Sequence, residues 1–255
     1  MVLAEGERGI SVQPVTPHSD IEILPPPAKI TPSPEPHEPA ATKDKPQEFP
    51  AVRLASTDGQ SAPLMGLSAK APYKIVDAKA NPDALWNPLT REVMTDGIVS
   101  AHNVGRDDLA SIIDRIAVLH WIQARTKSAR QSVRILPDER VHRKEAVVEI
   151  QLDGLAHRWL ILINLAGDGT LQLLYPRAGD PPVQEDPQYH LQLQVKDPLG
   201  ADEIVAISSV QPMAALADAL LRLDSARDPT KLREAIEKLG PIDVLLGSAG
   251  LLTAP

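Results

Sequence analysis

The clearest hydrophobic pattern in the chain spans residues 158–176. Residues 159–165 are apolar except for Asn164, which predicts a strand covered on both of its faces. The tripeptide Gly167-Asp168-Gly169 follows, and its residues tolerate the positive φ angles of a tight reversal. A second, shorter apolar run completes the stretch. The pattern therefore predicts a β-hairpin, with Asp168 as a turn residue.

A second pattern is strict alternation of apolar and polar residues. Between Tyr189 and Lys196, the apolar residues alternate with His190, Gln192, Gln194 and Lys196. This period of two is typical of a strand with one buried and one solvated face. Shorter runs predict further strands, at residues 51–54, 73–76, 146–152, 157–165, 170–175 and 203–208 and within the apolar tail 242–252.

Helical spacing appears three times. After Asp107, a good N-cap residue, apolar residues recur at intervals of three or four up to about Ile122. Pro212 and Pro229 stand where helices commonly begin, and Gly240 is placed to stop the last helix. The apolar residues of the first helix are Leu109, Ile112, Ile113, Ile116 and Leu119.

The order of these elements predicts the fold class. Strands precede most helices, and no repeat appears, so we expect an α+β fold: an antiparallel β-sandwich-like sheet with flanking helices. Residues 1–50 are rich in proline and poor in apolar side chains, which predicts a mostly disordered linker before the folded part. We expect residues 51–135 to form a helix-containing wrapping segment and residues 136–255 to hold the antiparallel strands and C-terminal helices.

Composition excludes several functions. The net charge of −8 and the pI near 5.4 argue against sequence-independent nucleic-acid binding, which depends on lysine and arginine. The chain has no cysteine, hence no disulfide and no thiolate nucleophile. No apolar run is long enough to insert into a membrane, and the first ten residues do not resemble a signal peptide. We expect a cytoplasmic location for the chain as it stands, or a periplasmic one if an upstream export signal was removed.

Few residues stand out as a candidate site. Trp159, Tyr175 and Tyr189 offer stacking surfaces for a ligand, although such aromatic residues more often occupy core or rim positions. His190 and Asp168 are the polar residues that we add to these candidate binding residues. The histidines lack the spacing of metal ligands, so we predict no catalytic residue, no metal and no cofactor.

Two strings together resemble a known domain. The strings RWLILINLAGDGTLQLLYP (158–176) and DPLGADEIVAISSVQPMAALADAL (197–220) resemble the C-terminal domain of unknown function appended to many bacterial caspase-like peptidases of the metacaspase and orthocaspase type. The matching positions are Leu160 to Asn164, Asp168-Gly169, Tyr175-Pro176, Gly200, Asp202-Glu203 and Ala206 to Ser208. A caspase-like peptidase needs a His–Cys dyad, which a chain without cysteine cannot supply.

The resemblance implies a non-enzymatic recognition or regulatory module. We expect it to bind a protein partner, such as a caspase-like peptidase domain or subunit or a substrate of that system. The strand predicted at 189–196 could accept an extended peptide along its edge. One alternative is a small-molecule or glycan sensor that uses the three aromatic residues. A further alternative is a hydrolase whose site uses serine, aspartate or histidine.

Overall fold

The computed structural model describes residues 11–12, 49–126, 130–240 and 244–255. The predicted linker at 1–50 lies outside these ranges except for Ser11–Val12 and the last two residues. The strands are β1 (Ser11–Val12), β2 (Val52–Ser56), β3 (Tyr73–Ile75), β4 (Ala84–Asn87), β5 (Glu92–Thr95), β6 (Ile98–Ala101), β7 (Ser132–Leu136), β8 (His142–Arg143), β9 (Val147–Asp153), β10 (Arg158–Leu165), β11 (Leu171–Tyr175), β12 (Val183–Gln184), β13 (Gln188–Gln194), β14 (Ala201–Ser209) and β15 (Val244–Ala254). The helices are α1 (Leu109–Arg125), α2 (Ala214–Leu221) and α3 (Thr230–Glu237).

The strands form three sheets. The central sheet has the order β11-β10-β14-β15-β8, with β12 beside β10, and the outer sheet has the order β1-β13-β9-β7. A smaller N-terminal sheet has the order β3-β2-β4-β5-β6. Pairing within the outer sheet is antiparallel, and the central sheet is antiparallel apart from β8. The predicted α+β class, with a sandwich-like arrangement of antiparallel strands and flanking helices, is confirmed.

Strand β10 is covered on both faces, as its sequence predicts. Leu160 and Leu162 belong to the core between the central and outer sheets, whereas Ile161 and Ile163 belong to the core beneath the helices. All four side chains are at most 1% exposed. The alternation arises because successive side chains of a strand point to opposite faces. The central sheet is thus the middle layer of the molecule.

Helix α1 joins the central sheet to the N-terminal sheet. Val118, Trp121 and Ile122 pack in the core beneath the central sheet, while Ile112 and Ile113 pack in the core of the N-terminal sheet. A helix that buries two faces requires a layer on each side of it. The predicted domain boundary at residue 135 falls within β7, a strand of the outer sheet.

Strand β15 brings the tail back into the core, as predicted, and fits there because it carries glycine. It lies between β14 and β8, and Gln131 N donates to Leu246 O at 2.9 Å. A Cβ atom on Gly247 would lie 2.0 Å from Gln131 O, a distance that no side chain tolerates. The main chain at Gln131 can therefore lie this close to β15 only because position 247 is glycine.

Gly247→Ala tests this close approach. We expect the free energy of unfolding to fall by about 2–3 kcal/mol, because the strand or its neighbour must move to admit a methyl group. The measurement is urea denaturation followed by circular dichroism.

Gly250→Ala is the matched control in the same strand. Its added Cβ atom would lie 3.6 Å from Glu203 Oε2, an ordinary contact, and we expect a change within about 0.5 kcal/mol. Equal losses in the two variants would contradict the steric explanation.

Candidate functional site

Strand β13 lies near the edge of the outer sheet. One side of it pairs with β9 along its whole length, from Gln188 opposite Asp153 to Gln194 opposite Val147. The other side pairs only with β1, through Ser11 opposite Gln194 and Val12 opposite Leu193. Within the described residues, the edge of β13 from residue 188 to residue 192 has no neighbouring strand.

The main chain of β13 presents hydrogen-bonding groups along this open edge. Val195 N donates to Ala146 O at 2.9 Å, on the side of β9. Because N–H groups alternate between the two sides of a strand, those of Gln194, Gln192 and His190 point away from β9. An extended segment lying alongside would find donors and acceptors at every second residue.

The two faces of β13 differ in character. Leu191 and Leu193 are 5% and 1% exposed and belong to the core between the sheets. Gln188, His190 and Gln192 are exposed on the opposite face. A strand added to this edge would therefore have one row of side chains beside the apolar core and one row in water.

The exposed face of the outer sheet carries a polar ladder. His190 Nδ1 lies 2.7 Å from Glu149 Oε1, and Gln151 Nε2 donates to the same oxygen at 2.7 Å. The pKa of the Glu149 carboxyl is lowered, and the hydrogen bond from Gln151 contributes more to this shift than the contact with His190. Asp153 in turn accepts hydrogen bonds from Gln188 at 2.9 Å and from Arg134 at 2.9 Å. His190, a predicted binding residue, is thus held by a carboxylate beside the open edge.

The edge of the central sheet at β11 is covered. Strand β11, at one end of the central sheet, exchanges hydrogen bonds with the connection between α2 and α3: Leu171 N donates to Ala226 O at 2.9 Å, and Ser225 N donates to Leu171 O at 2.7 Å. Leu173 N, further along the same edge, donates to Asp224 Oδ1 at 2.8 Å. These contacts leave β11 little to offer a partner, in contrast to β13.

The three predicted aromatic residues do not share one surface. Tyr175 and Tyr189 meet, with ring centroids 4.9 Å apart, at the core between the two sheets. Burial raises the pKa of both phenols, and Gln184 Nε2 donates to Tyr175 Oη at 2.6 Å. Trp159 packs on the opposite face of the central sheet, against the helical core. The trio therefore does not form the single stacking platform that a glycan sensor would use.

Asp168 lies in the turn between β10 and β11, as its sequence context predicts. Its Oδ1 accepts the Thr170 N–H at 2.9 Å, which is the contact expected of a turn aspartate. Its Oδ2 lies 3.3 Å from Arg227 Nη2, and its carbonyl accepts the Ser111 hydroxyl at 2.8 Å. Asp168 thus ties the hairpin to α1 and to the start of α3.

A charged cleft opens next to this turn. It has a volume of about 300 Å³ and is lined by Ser68, Lys70, Asp107, Asp108, Ala110, Ser111, Asp114, Arg227 and Asp228. Its cations are paired: Lys70 with Asp228 at 2.6 Å, and Arg227 with Asp108 at 2.9 Å. Asp114 is 5% exposed and accepts the Ala71 N–H at 2.8 Å, and burial raises its pKa. These contacts cross-link three segments of the chain, and no metal-binding group of three or more His, Cys, Asp or Glu residues occurs among the described residues.

A buried charged group lies between α1 and β14. Arg115 is 4% exposed, and its Nη2 donates to Ala201 O at 2.7 Å while its Nε has no partner. Burial lowers the pKa of Arg115 and raises those of Asp202 and Glu203, whose charges act on the guanidinium. Asp202 also accepts hydrogen bonds from Asn164, at 2.9 Å, and from Gly167 N, at 3.0 Å. This network explains Asn164, the polar residue within the otherwise apolar residues 159–165.

Sequence reasoning did not find Arg115 or the strand β1. The signal for Arg115 was the pair Asp114-Arg115 within an otherwise apolar stretch, Ile112 to Ala117, where charges imply a buried network. The two residues of β1 carry no pattern of their own. Their pairing with β13 depends on main-chain contact across more than 180 residues of sequence.

No family model, curated protein or solved structure matches the chain. The chain has no cysteine, so it holds no thiol nucleophile for a cysteine-peptidase reaction. Among the described residues, no helix has the length and apolarity needed to cross a membrane.

Arg115→Met tests the buried charges. Removing the guanidinium leaves Asp202 and Glu203 without their nearby cation, so we expect the free energy of unfolding to fall by about 3 kcal/mol near neutral pH. Both carboxyls have raised pKa values in the folded state, and losing Arg115 raises them further. As the pH falls through these values, the folded state takes up more protons than the unfolded state, and the deficit relative to wild type shrinks.

Urea denaturation at about pH 7.5 and about pH 5 measures both effects. Arg134→Met is the control, because its ion pair with Asp153 is exposed and should contribute less than about 1 kcal/mol. A deficit for Arg115→Met that grows on acidification would refute this assignment of the charges.

Proposed function

We propose that this chain is a non-catalytic recognition module that binds an extended segment of a protein partner along the open edge of β13. The observation that carries the proposal is the set of main-chain N–H groups at His190 and Gln192, which point away from β9 and face no neighbouring strand among the described residues. Strand addition at such an edge is a common mode of peptide recognition.

The structure around the edge supports selectivity. The partner residue opposite Leu191 would meet the apolar core between the sheets, whereas residues opposite Gln192 and His190 would lie on the polar, solvated face. Segments in which apolar and polar residues alternate are therefore the ligands that this edge favours. Leu191 and Leu193 anchor β13 to the rest of the molecule, because both side chains are packed in the core between the sheets.

Association with a caspase-like peptidase is the second part of the proposal. It derives from the resemblance of the strings at 158–176 and 197–220. Those strings form the paired strands β10 and β14, which lie side by side from Trp159 opposite Ser209 to Leu165 opposite Glu203. The two strings are thus parts of one structural unit, which supports treating them as one inherited domain. In this view the module presents its outer sheet to a peptidase or to a substrate of that peptidase.

Gln192→Pro tests recognition by the edge. Proline removes the N–H of residue 192, which points away from β9, and leaves the β9 ladder unbroken. We expect peptides selected on the wild-type chain from a displayed library of random twelve-residue sequences to alternate apolar and polar residues. We expect them to lose at least about tenfold in affinity for the variant, the equivalent of roughly 1.4 kcal/mol.

Gln192→Ala is the matched control, since it keeps the N–H and removes only the side chain. Circular dichroism and thermal melting check that both variants fold. Equal binding of the selected peptides to the proline and alanine variants would show that the edge is not the site. Mass spectrometry of proteins captured from the native cell tests the peptidase association: a caspase-like peptidase or its substrate should be retained by Gln192→Ala and lost by Gln192→Pro.

A further inference from the structure

We propose that His190 selects partner segments that carry threonine or serine at the position opposite it on the edge of β13. This inference rests on the proposed function and adds the chemistry of the ligand. It comes from the imidazole ring, which contacts Glu149 through one nitrogen while the side chain remains 48% exposed.

Glu149 fixes which imidazole nitrogen carries the proton. His190 Nδ1 lies 2.7 Å from Glu149 Oε1, and the same oxygen accepts the Gln151 amide. The lowered pKa of Glu149 keeps its carboxyl ionised near neutral pH. An ionised carboxylate can only accept hydrogen bonds, so Nδ1 is the donor. In a neutral imidazole the other nitrogen, Nε2, is then an acceptor.

The acceptor nitrogen faces the side on which a ligand would lie. Glu149 belongs to β9, and the two nitrogens lie on different sides of the ring, so a contact from Nδ1 toward β9 turns Nε2 away from that strand. Nε2 has no hydrogen-bond partner in the part of the chain that the structure describes. The main-chain N–H of His190 also points away from β9. A strand added to this edge would thus place one residue beside both groups.

The other exposed side chains near the edge of β13 discriminate less between ligands. Gln188 and Gln192 are amides, which both donate and accept hydrogen bonds, and Gln188 already donates to Asp153 at 2.9 Å. His190 in this tautomer offers only an acceptor at Nε2. The ligand residue opposite it must therefore supply a donor to form a hydrogen bond.

Threonine and serine suit the spacing of paired strands. Cβ atoms of directly opposite residues are about 5 Å apart. A hydroxyl group on the Cβ atom of the ligand can donate to the imidazole over this distance, whereas the longer side chains of lysine and arginine extend past it. Threonine also has a high preference for strands. The ligand class that this edge favours is therefore an alternating segment with a hydroxyl residue at one polar position.

Threonine and valine peptides test the selection, because the two side chains have nearly the same shape and differ in the hydroxyl group. We expect the selected twelve-residue peptides to be enriched in threonine or serine at one polar position. A peptide with threonine there should bind wild type about threefold more tightly than its valine counterpart, the equivalent of roughly 0.7 kcal/mol. Titration at about pH 8, above the range in which histidines usually change charge, measures both affinities.

Three variants locate the source of the preference. His190→Ala removes the acceptor, so we expect the ratio of threonine to valine affinity to fall to about one. Glu149→Gln keeps the ring but no longer fixes its tautomer, so the ratio should fall below the wild-type value. Gln188→Ala is the matched control, because it truncates another exposed side chain of β13, and it should keep the wild-type ratio. Circular dichroism checks that all three variants fold.

The outcomes separate this inference from the recognition function. An equal ratio in wild type and His190→Ala, or an equal loss in Gln188→Ala, would overturn selection by His190. A wild-type ratio in Glu149→Gln would overturn the fixed tautomer. If the peptides show no such preference but still lose affinity for Gln192→Pro, the recognition function stands without this selectivity. If no library peptide binds, or if binding does not depend on the N–H of residue 192, the recognition function itself is refuted.

Discussion

The apolar side chains on both faces of β10 and β14 determine how the rest of the chain is arranged. Leu160 and Ile204 face the outer sheet, while Ile161 and Val205 face the helices. Neither face of the central sheet can be left in water without exposing a continuous apolar surface. One face therefore requires the outer sheet and the other requires α1, α2 and α3. Helix α1 is itself apolar on a second side, and this is what the N-terminal sheet covers.

Polar groups inside this arrangement lie where the layers end. Asn164 is fully buried at the end of β10 and donates to Gln172 and Asp202. Nearby, Arg115 reaches from α1 to Ala201 O, next to the two carboxylates of β14. Burial opposes the charged forms of these groups, so their mutual attraction and hydrogen bonds must offset the loss of water. Such a network stabilises one position of α1 along the central sheet, because a shift of the helix would move the Arg115 guanidinium away from the buried carboxylates of β14.

The elements that sequence reasoning predicted are those whose signal is local. Strand β10, the turn at Asp168 and helix α1 each show a continuous period or a characteristic turn residue. Strands β4, β5 and β6 were missed because each has four residues of mixed polarity, and their stability comes from distant packing on α1.

The difference between local signals and tertiary packing also explains which parts of the candidate site were predicted. The alternation that predicted β13 is local, and it correctly indicated one wet face. The predicted aromatic residues do lie on strands. However, tertiary packing decides which faces of the sheets pack together. That is why Tyr175 and Tyr189 come together while Trp159 lies on the other side. The pairing of β1 with β13 left no trace in the sequence, since it is made by the main chain.

Open sheet edges invite unwanted pairing, and proteins usually block them. Here the connection after α2 covers β11 with three hydrogen bonds, whereas, among the described residues, β13 is met on its outer side only by Ser11 and Val12. This difference between the two edges is the physical reason to place recognition at β13.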